Sequence, residues 1–148
     1  MPQTSERHAG ILDAYKRGDG RFNKWSEEKL GTFRLTAWEW GRLSMVWEID
    51  DRFIMPDGVM FGGHVAAVAD HVAGLITMTV LETNDDRFRT SRLETNFFRP
   101  VMKPKAMIEA RVVNASKTLI HVDADFFNAE GKPLVRIAAA QVRRVNRE

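Results

Sequence analysis

The sequence contains no cysteine, a single tyrosine and a net charge of only +2 at pH 7. Without cysteine, neither a disulfide framework nor a thiolate nucleophile is available. With four histidines and no cysteine pair, we expect no metal site of the structural zinc type. The small net charge gives no argument for nucleic acid as a partner. These absences direct attention to the apolar and acidic residues that are present.

The length and composition predict one globular unit with a hydrophobic core. The chain has 148 residues, of which 44% are hydrophobic and 28% are charged, as in ordinary folded proteins. Its first residues lack an apolar signal segment, so we expect a cytoplasmic location. The longest apolar stretch, residues 60–81, is interrupted by His64, Asp70 and His71, so we expect no membrane span.

This apolar stretch predicts a long helix from Phe61 to Leu81. Its residues are apolar on nearly every side, which is typical of a helix wrapped by other structure. The helix carries a single acid, Asp70, and a carboxylate is costly to bury without a partner. Asp70 is therefore the first candidate for a functional side chain.

Segments of strand character lie on both sides of this helix. Before it, residues 32–39 and 43–50 are rich in aromatic and β-branched side chains, and the intervening Trp40-Gly41-Arg42 predicts a hairpin. After it, runs separated by turn residues predict four more strands: residues 88–98, 106–114, 119–127 and 134–145. Short connections favour an antiparallel meander of these four strands.

Because one helix cannot cover both faces of a six-stranded sheet, we expect a curved sheet wrapped around the helix, an α+β fold. Ser5 to Lys16 predicts a separate helix with Ser5 as its N-cap, and residues 22–31 predict another helical turn. We therefore divide the chain into an N-terminal helical extension, residues 1–31, and a main domain, residues 32–148.

Two glycines, Gly62 and Gly63, stand at the predicted helix start. The first amides of a helix are unpaired donors, and the helix dipole there favours negative charge. Such amides can polarise a carbonyl oxygen and hold an oxyanion. A tight turn from loop to helix is the alternative explanation of this glycine pair.

Four small residues lie one helical turn from Asp70, namely Ala66, Ala67, Ala73 and Gly74. They leave room beside the carboxylate, which could act as a nucleophile or as a base for water. A structural aspartate that caps a buried donor is the alternative.

The two histidines of this helix, His64 and His71, are seven residues apart on a face away from Asp70. This spacing is poor for a shared metal ion, so we interpret both as satisfied or interfacial side chains. His64 is the better functional candidate, because it adjoins Gly63.

Basic residues are frequent in the C-terminal strands. Most are expected on solvated strand faces, while a subset could meet the phosphates of an anionic carrier. The residues in question are Arg92, Arg99, Lys103, Lys105, Lys117, Arg136, Arg143 and Arg144.

At these positions the sequence resembles the hotdog-fold acyl-CoA thioesterases, specifically the phenylacetate-degradation type. The motif of that family runs Asn-x2-Gly-x2-His-Gly-Gly-x6-Asp after a hairpin. The corresponding residues here are spaced without a gap: Met55, Gly58, Phe61, Gly62, Gly63 and Asp70. The resemblance extends over roughly residues 32–145, and the segment from Thr90 to Pro100 is similar to the family's next strand.

The resemblance implies a role for each matching residue. Asp70 would be the general base or nucleophile toward the thioester, and the Gly63 amide would polarise the thioester oxygen. Thr90 would orient the attacking water from the partner subunit. The family also implies a homodimer or homotetramer with sites between subunits, and no cofactor other than the CoA of the substrate.

The sequence departs from the motif at two positions, since Met55 replaces the usual Asn and Phe61 the usual His. Neither side chain can donate a useful hydrogen bond. Either Asp70 and Gly63 suffice, or His64 takes over part of the role, or the protein only binds acyl groups. Met55, Phe61, Gly62 and His64 are the expected substrate-binding residues.

Three functions remain open at this point. The resemblance favours hydrolysis of an acyl-CoA to an acid and free CoA. The two lost polar positions would suit a noncatalytic acyl-CoA-binding protein. A hydratase or dehydratase is less favoured, because His64 is the only acid or base candidate near the motif and its spacing from Asp70 fits poorly.

Overall fold

The computed structural model describes residues 1–145, so the last three residues of the predicted main domain, 146–148, lie outside the described residues. The chain begins with two helices, α1 (Glu6–Arg17) and α2 (Arg21–Lys29). The predicted N-cap is confirmed, because the Ser5 side chain accepts the backbone N–H of His8. Helix α1 ends at Gly18, whose φ of 81° is easily adopted only by glycine.

A six-stranded antiparallel sheet follows, interrupted by one long helix. Its strands are β1 (Thr32–Glu39), β2 (Arg42–Glu48), β3 (Asp86–Phe97), β4 (Lys105–Ala115), β5 (Leu119–Phe127) and β6 (Pro133–Val145). The helix, α3, runs from Gly62 to Met78 between β2 and β3. The predicted α+β hotdog fold is confirmed, with the curved sheet packed around α3.

The predicted meander of the last four strands is wrong, because the strand order is β1-β2-β4-β5-β6-β3. Strand β3 pairs with β6 at one edge, and residues 98–104 then carry the chain across to pair β4 with β2. Of the last four strands, β4, β5 and β6 are joined by short hairpin connections and β3 is not. Local turn residues reveal a chain reversal but not which strand will be the neighbour, since pairing depends on the whole sheet.

Residues 62–74 of α3 bury one side only, whereas the last four residues, 75–78, are all buried. Val68, Val72 and Ile76 are fully covered by the concave face of the sheet, whereas Gly63, Ala67 and Asp70 are exposed. The expectation of a helix covered on every side is therefore wrong for the single chain. Within residues 1–145, no helix is both long enough and apolar enough to cross a membrane.

The two N-terminal helices pack onto the same core as the sheet. Leu12 and Tyr15 of α1 are almost completely buried, and Leu30, directly after α2, is 8% exposed. The division of the chain at residue 32 stays a prediction, and these contacts show that the extension shares its core with the rest of the chain.

A buried ion pair joins the start of β3 to β6, shortly after the end of α3 in the chain. Arg143 donates to both carboxylate oxygens of Asp86, at 3.2 Å and 2.9 Å, and the Asp86 side chain is fully buried. Burial by itself raises the pKa of Asp86. The hydrogen bonds from Arg143, Thr83 and Glu82 outweigh that effect and hold the pKa below its ordinary value.

We expect Asp86→Ala to lower the free energy of unfolding by about 3–5 kcal/mol, because it leaves the Arg143 guanidinium buried without its partner. Urea denaturation followed by circular dichroism measures the change. The matched control is Asp51→Ala, since the Asp51 carboxylate also bonds a cation, Lys103, but is 83% exposed. Its loss should cost at most about 1 kcal/mol. Equal losses of unfolding free energy in the two variants would contradict the larger contribution assigned to the buried pair.

Candidate functional site

The candidate site centres on a hydrogen bond between α3 and β3. The Thr90 hydroxyl donates to Oδ1 of Asp70 at 2.8 Å. Both residues belong to the same chain, and the role expected for Thr90 of a partner subunit in orienting the attacking water stays a prediction. The bond leaves Oδ2 of Asp70 available to another group and fixes the orientation of the carboxylate.

Strand β3 packs against α3 at Gly74. A Cβ placed on Gly74 would lie 3.7 Å from the ring of Phe88, at ordinary van der Waals contact. Phe88 and Thr90 are two residues apart on the strand and so face the same side, toward α3. The β3–β6 register also shifts between Thr90 and Arg92, a local irregularity of the kind often found next to functional sites.

Asp70 is exposed in the single chain, although the sequence predicted a costly buried carboxylate. The reason is the spacing of Gly63, Ala67 and Asp70, which places them on the side of α3 that the sheet leaves open. Strand β3 lies at the sheet edge beside this side, and most of its residues are exposed as well. The site therefore lies on an open surface of the chain.

The start of α3 offers free backbone donors. The N–H groups of His64 and Val65 both bond the carbonyl of Phe61. In the part of the chain that the structure describes, the Gly63 N–H bonds no acceptor. A Cβ on Gly63 would come within 2.8 Å of the Phe61 ring, so this aromatic ring lies directly beside the amide. Gly63 thus combines a free donor with an apolar neighbour.

Met55 and Gly62 line a shallow groove beside the start of α3. The groove has a volume of about 420 Å³, and its other walls include Phe97 and Phe98, which are 52% and 53% exposed. Large exposed aromatic side chains in a cluster are typical of a surface that binds a ligand or a partner chain. Sequence reasoning had singled out Met55 and Gly62 but not these two phenylalanines.

His64 is held in packing contacts rather than directed toward Asp70. Its ring stacks on Phe53 with centroids 3.5 Å apart, and Nε2 lies 2.7 Å from the carbonyl oxygen of Leu30. Burial, the largest effect, lowers the pKa of His64. These contacts agree with the interpretation of a satisfied histidine, and nothing in them supports His64 as a substrate contact.

A cavity of about 190 Å³ lies between α3 and β3, immediately beside the Asp70–Thr90 pair. Its walls are largely apolar and include two side chains that sequence reasoning did not connect with the site, Phe22 of α2 and Phe88 of β3. No local sequence signal could have revealed Phe22, because it reaches the site only through the packing of α2 on α3.

His71 links the N-terminal helices to this cavity. Its Nε2 lies 2.9 Å from the Tyr15 hydroxyl, which also lies 2.9 Å from the Ser26 hydroxyl. Burial lowers the pKa of His71 to about 4 and raises the pKa of Tyr15 to about 12. Both side chains are therefore neutral near pH 7, which suits a hydrogen-bonded contact in an apolar setting.

Several of the basic residues noted in the sequence have acidic partners. Arg136 bonds Asp125, Arg143 bonds Asp86, and Lys103 bonds Asp51. These charges are compensated within the chain. Arg136 lies on a solvated strand face as expected, whereas Arg143 is largely buried and Lys103 lies between β3 and β4.

Comparison with known proteins identifies relatives of this chain. A family model described as the thioesterase superfamily matches residues 57–135. A protein of Saccharolobus solfataricus, whose name proposes that it is an esterase, is 32% identical over 122 residues, or 82% of this chain and 81% of that protein.

Solved structures share the fold at low sequence identity. A Haemophilus influenzae thioesterase is 18% identical with a TM-score of 0.80, and covers 100% of this chain and 98% of its own. A hypothetical thioesterase of Streptococcus pneumoniae, solved with coenzyme A, is 15% identical with a TM-score of 0.76, covering 86% of this chain and 97% of its own. These likenesses agree with the arrangement of sheet and helix described above.

The low pKa of His71 predicts acid destabilisation. The unfolded chain takes up a proton at His71 below pH 6.5, whereas the folded chain does so only near pH 4. The free energy of unfolding should therefore fall as the pH decreases through this window, by up to about 1.4 kcal/mol per pH unit from this residue. Urea denaturation at a series of pH values measures the slope.

His71→Gln should reduce that slope, because it removes the ionisable ring. The matched control is His121→Gln, which replaces an exposed histidine of β5 and should leave the slope nearly as in the wild type. An unchanged slope in His71→Gln would contradict the assignment, whatever the stability of the variant at neutral pH.

Proposed function

Because the chain belongs to the thioesterase superfamily, we propose that it hydrolyses the thioester of an acyl-CoA to a carboxylic acid and free CoA. The observation that carries the proposal is the 2.8 Å bond from Thr90 to Asp70 on the open side of α3. A carboxylate fixed in this way can activate water beside an apolar cavity. The coenzyme A bound to the Streptococcus pneumoniae structure supports this class of carrier.

In the proposed reaction, Asp70 takes a proton from water while the water oxygen bonds the thioester carbonyl carbon. The negative charge that develops on the carbonyl oxygen is stabilised by the N–H of Gly63 and the dipole of α3. The C–S bond then breaks, and the proton held by Asp70 passes to the departing CoA sulfur. Direct attack by the carboxylate through an anhydride is the other route open to Asp70.

A complete site requires a second copy of the chain in this proposal. Gly63 and Asp70 are separated by seven residues of helix, or about 10 Å at 1.5 Å per residue. Asp70 must come within about 3 Å of the attacking water, and the Gly63 N–H within about 3 Å of the carbonyl oxygen, so both act close to one reacting carbon. The Gly63 of one chain would therefore serve with the Asp70 of another, in a homodimer that covers the open side of α3 and the edge of β3. A homotetramer would pair two such dimers.

The same geometry keeps one alternative open. The Phe61 ring beside Gly63, and Met55 in the adjacent groove, supply no hydrogen-bond donor to a substrate. A noncatalytic acyl-CoA-binding protein would suit this apolar surface. A hydratase has less support, because His64 is bound to Leu30 and stacked on Phe53.

We expect Asp70→Asn to lower kcat for acyl-CoA hydrolysis by about 10²–10⁴-fold, the usual contribution of a positioned base. Thr90→Val should also lower kcat, and Thr90→Ser should restore it because it keeps the hydroxyl. Release of free thiol from a panel of acyl-CoAs measures the rates, and Asp85→Asn, at an exposed loop position, is the control.

Equal rates for the wild type and Asp70→Asn would exclude the proposed role of Asp70. Tight binding of acyl-CoA by the wild type, with turnover no faster than the uncatalysed reaction, would instead establish the binding protein.

The two-chain site predicts complementation between inactive variants. Gly63→Val should be inactive because the added side chain displaces the Phe61 ring into the carbonyl site, and Asp70→Asn lacks the base. Co-expressed with different affinity tags and purified through both, the mixed dimer should contain one intact site and hydrolyse acyl-CoA. A mixed dimer no more active than its parents would show that both groups act within one chain.

A further inference from the structure

The cavity beside Asp70 is small, and Phe22 of the N-terminal extension contributes to its lining. Leu75, Met78, Phe88 and Phe22 form its apolar walls, and His71 and Arg89 also line it. Its volume of about 190 Å³ is below the range of about 300–1,000 Å³ that is common for sites of drug-sized ligands. It has room for a small apolar group, while a larger one must extend beyond it.

A second and larger space lies on the other side of Phe22. The cleft between α1 and α2 has a volume of about 730 Å³, with Ile11, Ala14 and Trp25 among its walls. Phe22 contributes to the lining of both spaces, so the two meet at this residue. Replacing this side chain therefore changes the lining of both spaces at once.

The backbone that carries Phe22 is firmly attached to α3. The Tyr15 hydroxyl bonds both His71 of α3 and Ser26 of α2, and the Trp25 ring lies 5.9 Å from the His71 ring. The Phe22 side chain itself is 43% exposed. It can be replaced without opening a hole in the core, so its effect on the ligand can be separated from its effect on folding.

We infer that Phe22 is a specificity-determining residue that limits the length of the acyl group, so that short acyl chains are accepted in the cavity beside Asp70 and long ones are excluded from the α1–α2 cleft. The inference rests on the proposed function, because it takes the acyl group to extend from the Asp70 site. A long chain must either displace the Phe22 ring, at the cost of overpacking, or remain in water.

The test compares kcat/KM for butyryl-CoA and dodecanoyl-CoA in the wild type and in variants of Phe22. Phe22→Ala should join the two spaces and raise the ratio of dodecanoyl to butyryl activity about tenfold or more, the effect expected from a few apolar contacts. Phe22→Trp should lower the ratio. Val113→Ala, at a residue of β4 that is 59% exposed, is the control and should leave it unchanged.

The outcomes separate this inference from the proposed function. If the wild type releases thiol but Phe22→Ala keeps the wild-type ratio, the inference is overturned while the hydrolase stands. If no acyl-CoA is hydrolysed, the proposed function fails. The ratio of the binding affinities for dodecanoyl and butyryl thioether analogues of CoA is then measured by calorimetry. If Phe22→Ala leaves this ratio of binding affinities unchanged, the inference is overturned as well.

Discussion

The structure depends on one constraint, that a single six-stranded sheet covers only one side of α3. The helix buries Val68, Val72 and Ile76 against the sheet, and burial of such side chains contributes about 1.5–3 kcal/mol each. The opposite side, with Gly63, Ala67 and Asp70, is left without a cover. The same division that stabilises the fold therefore leaves the carboxylate accessible to a substrate and to another chain.

Small residues lie on the open side of the helix. The Phe88 ring packs against Gly74, and two residues further along β3 the Thr90 hydroxyl bonds Asp70. Gly63 keeps its amide free at the helix start, where the dipole favours a developing negative charge. The Asp70 carboxylate, the Thr90 hydroxyl and the Gly63 amide are the polar groups of the proposed chemistry, and His71 and Arg89 also line the cavity beside Asp70.

The N-terminal helices contribute to the site through packing rather than through reactive groups. Tyr15 and Ser26 hold them to His71, the residue next to Asp70 in the chain. Their aromatic side chains then border the cavity that the sheet and α3 leave between them. An extension without a sequence motif can in this way influence which ligand fits, while the motif residues determine which chemistry is available.

The sequence by itself determined the local features. The apolar run with its single acid predicted α3 and Asp70, the Gly-Gly pair predicted the helix start, and alternation predicted the β1–β2 hairpin, because each depends on residues close in the chain. Only the tertiary structure decided that β3 pairs with β6, that Asp70 is exposed, that Thr90 bonds it within one chain, and that Phe22 borders the cavity. Each of these depends on contacts between distant segments, which local periodicity and spacing do not encode.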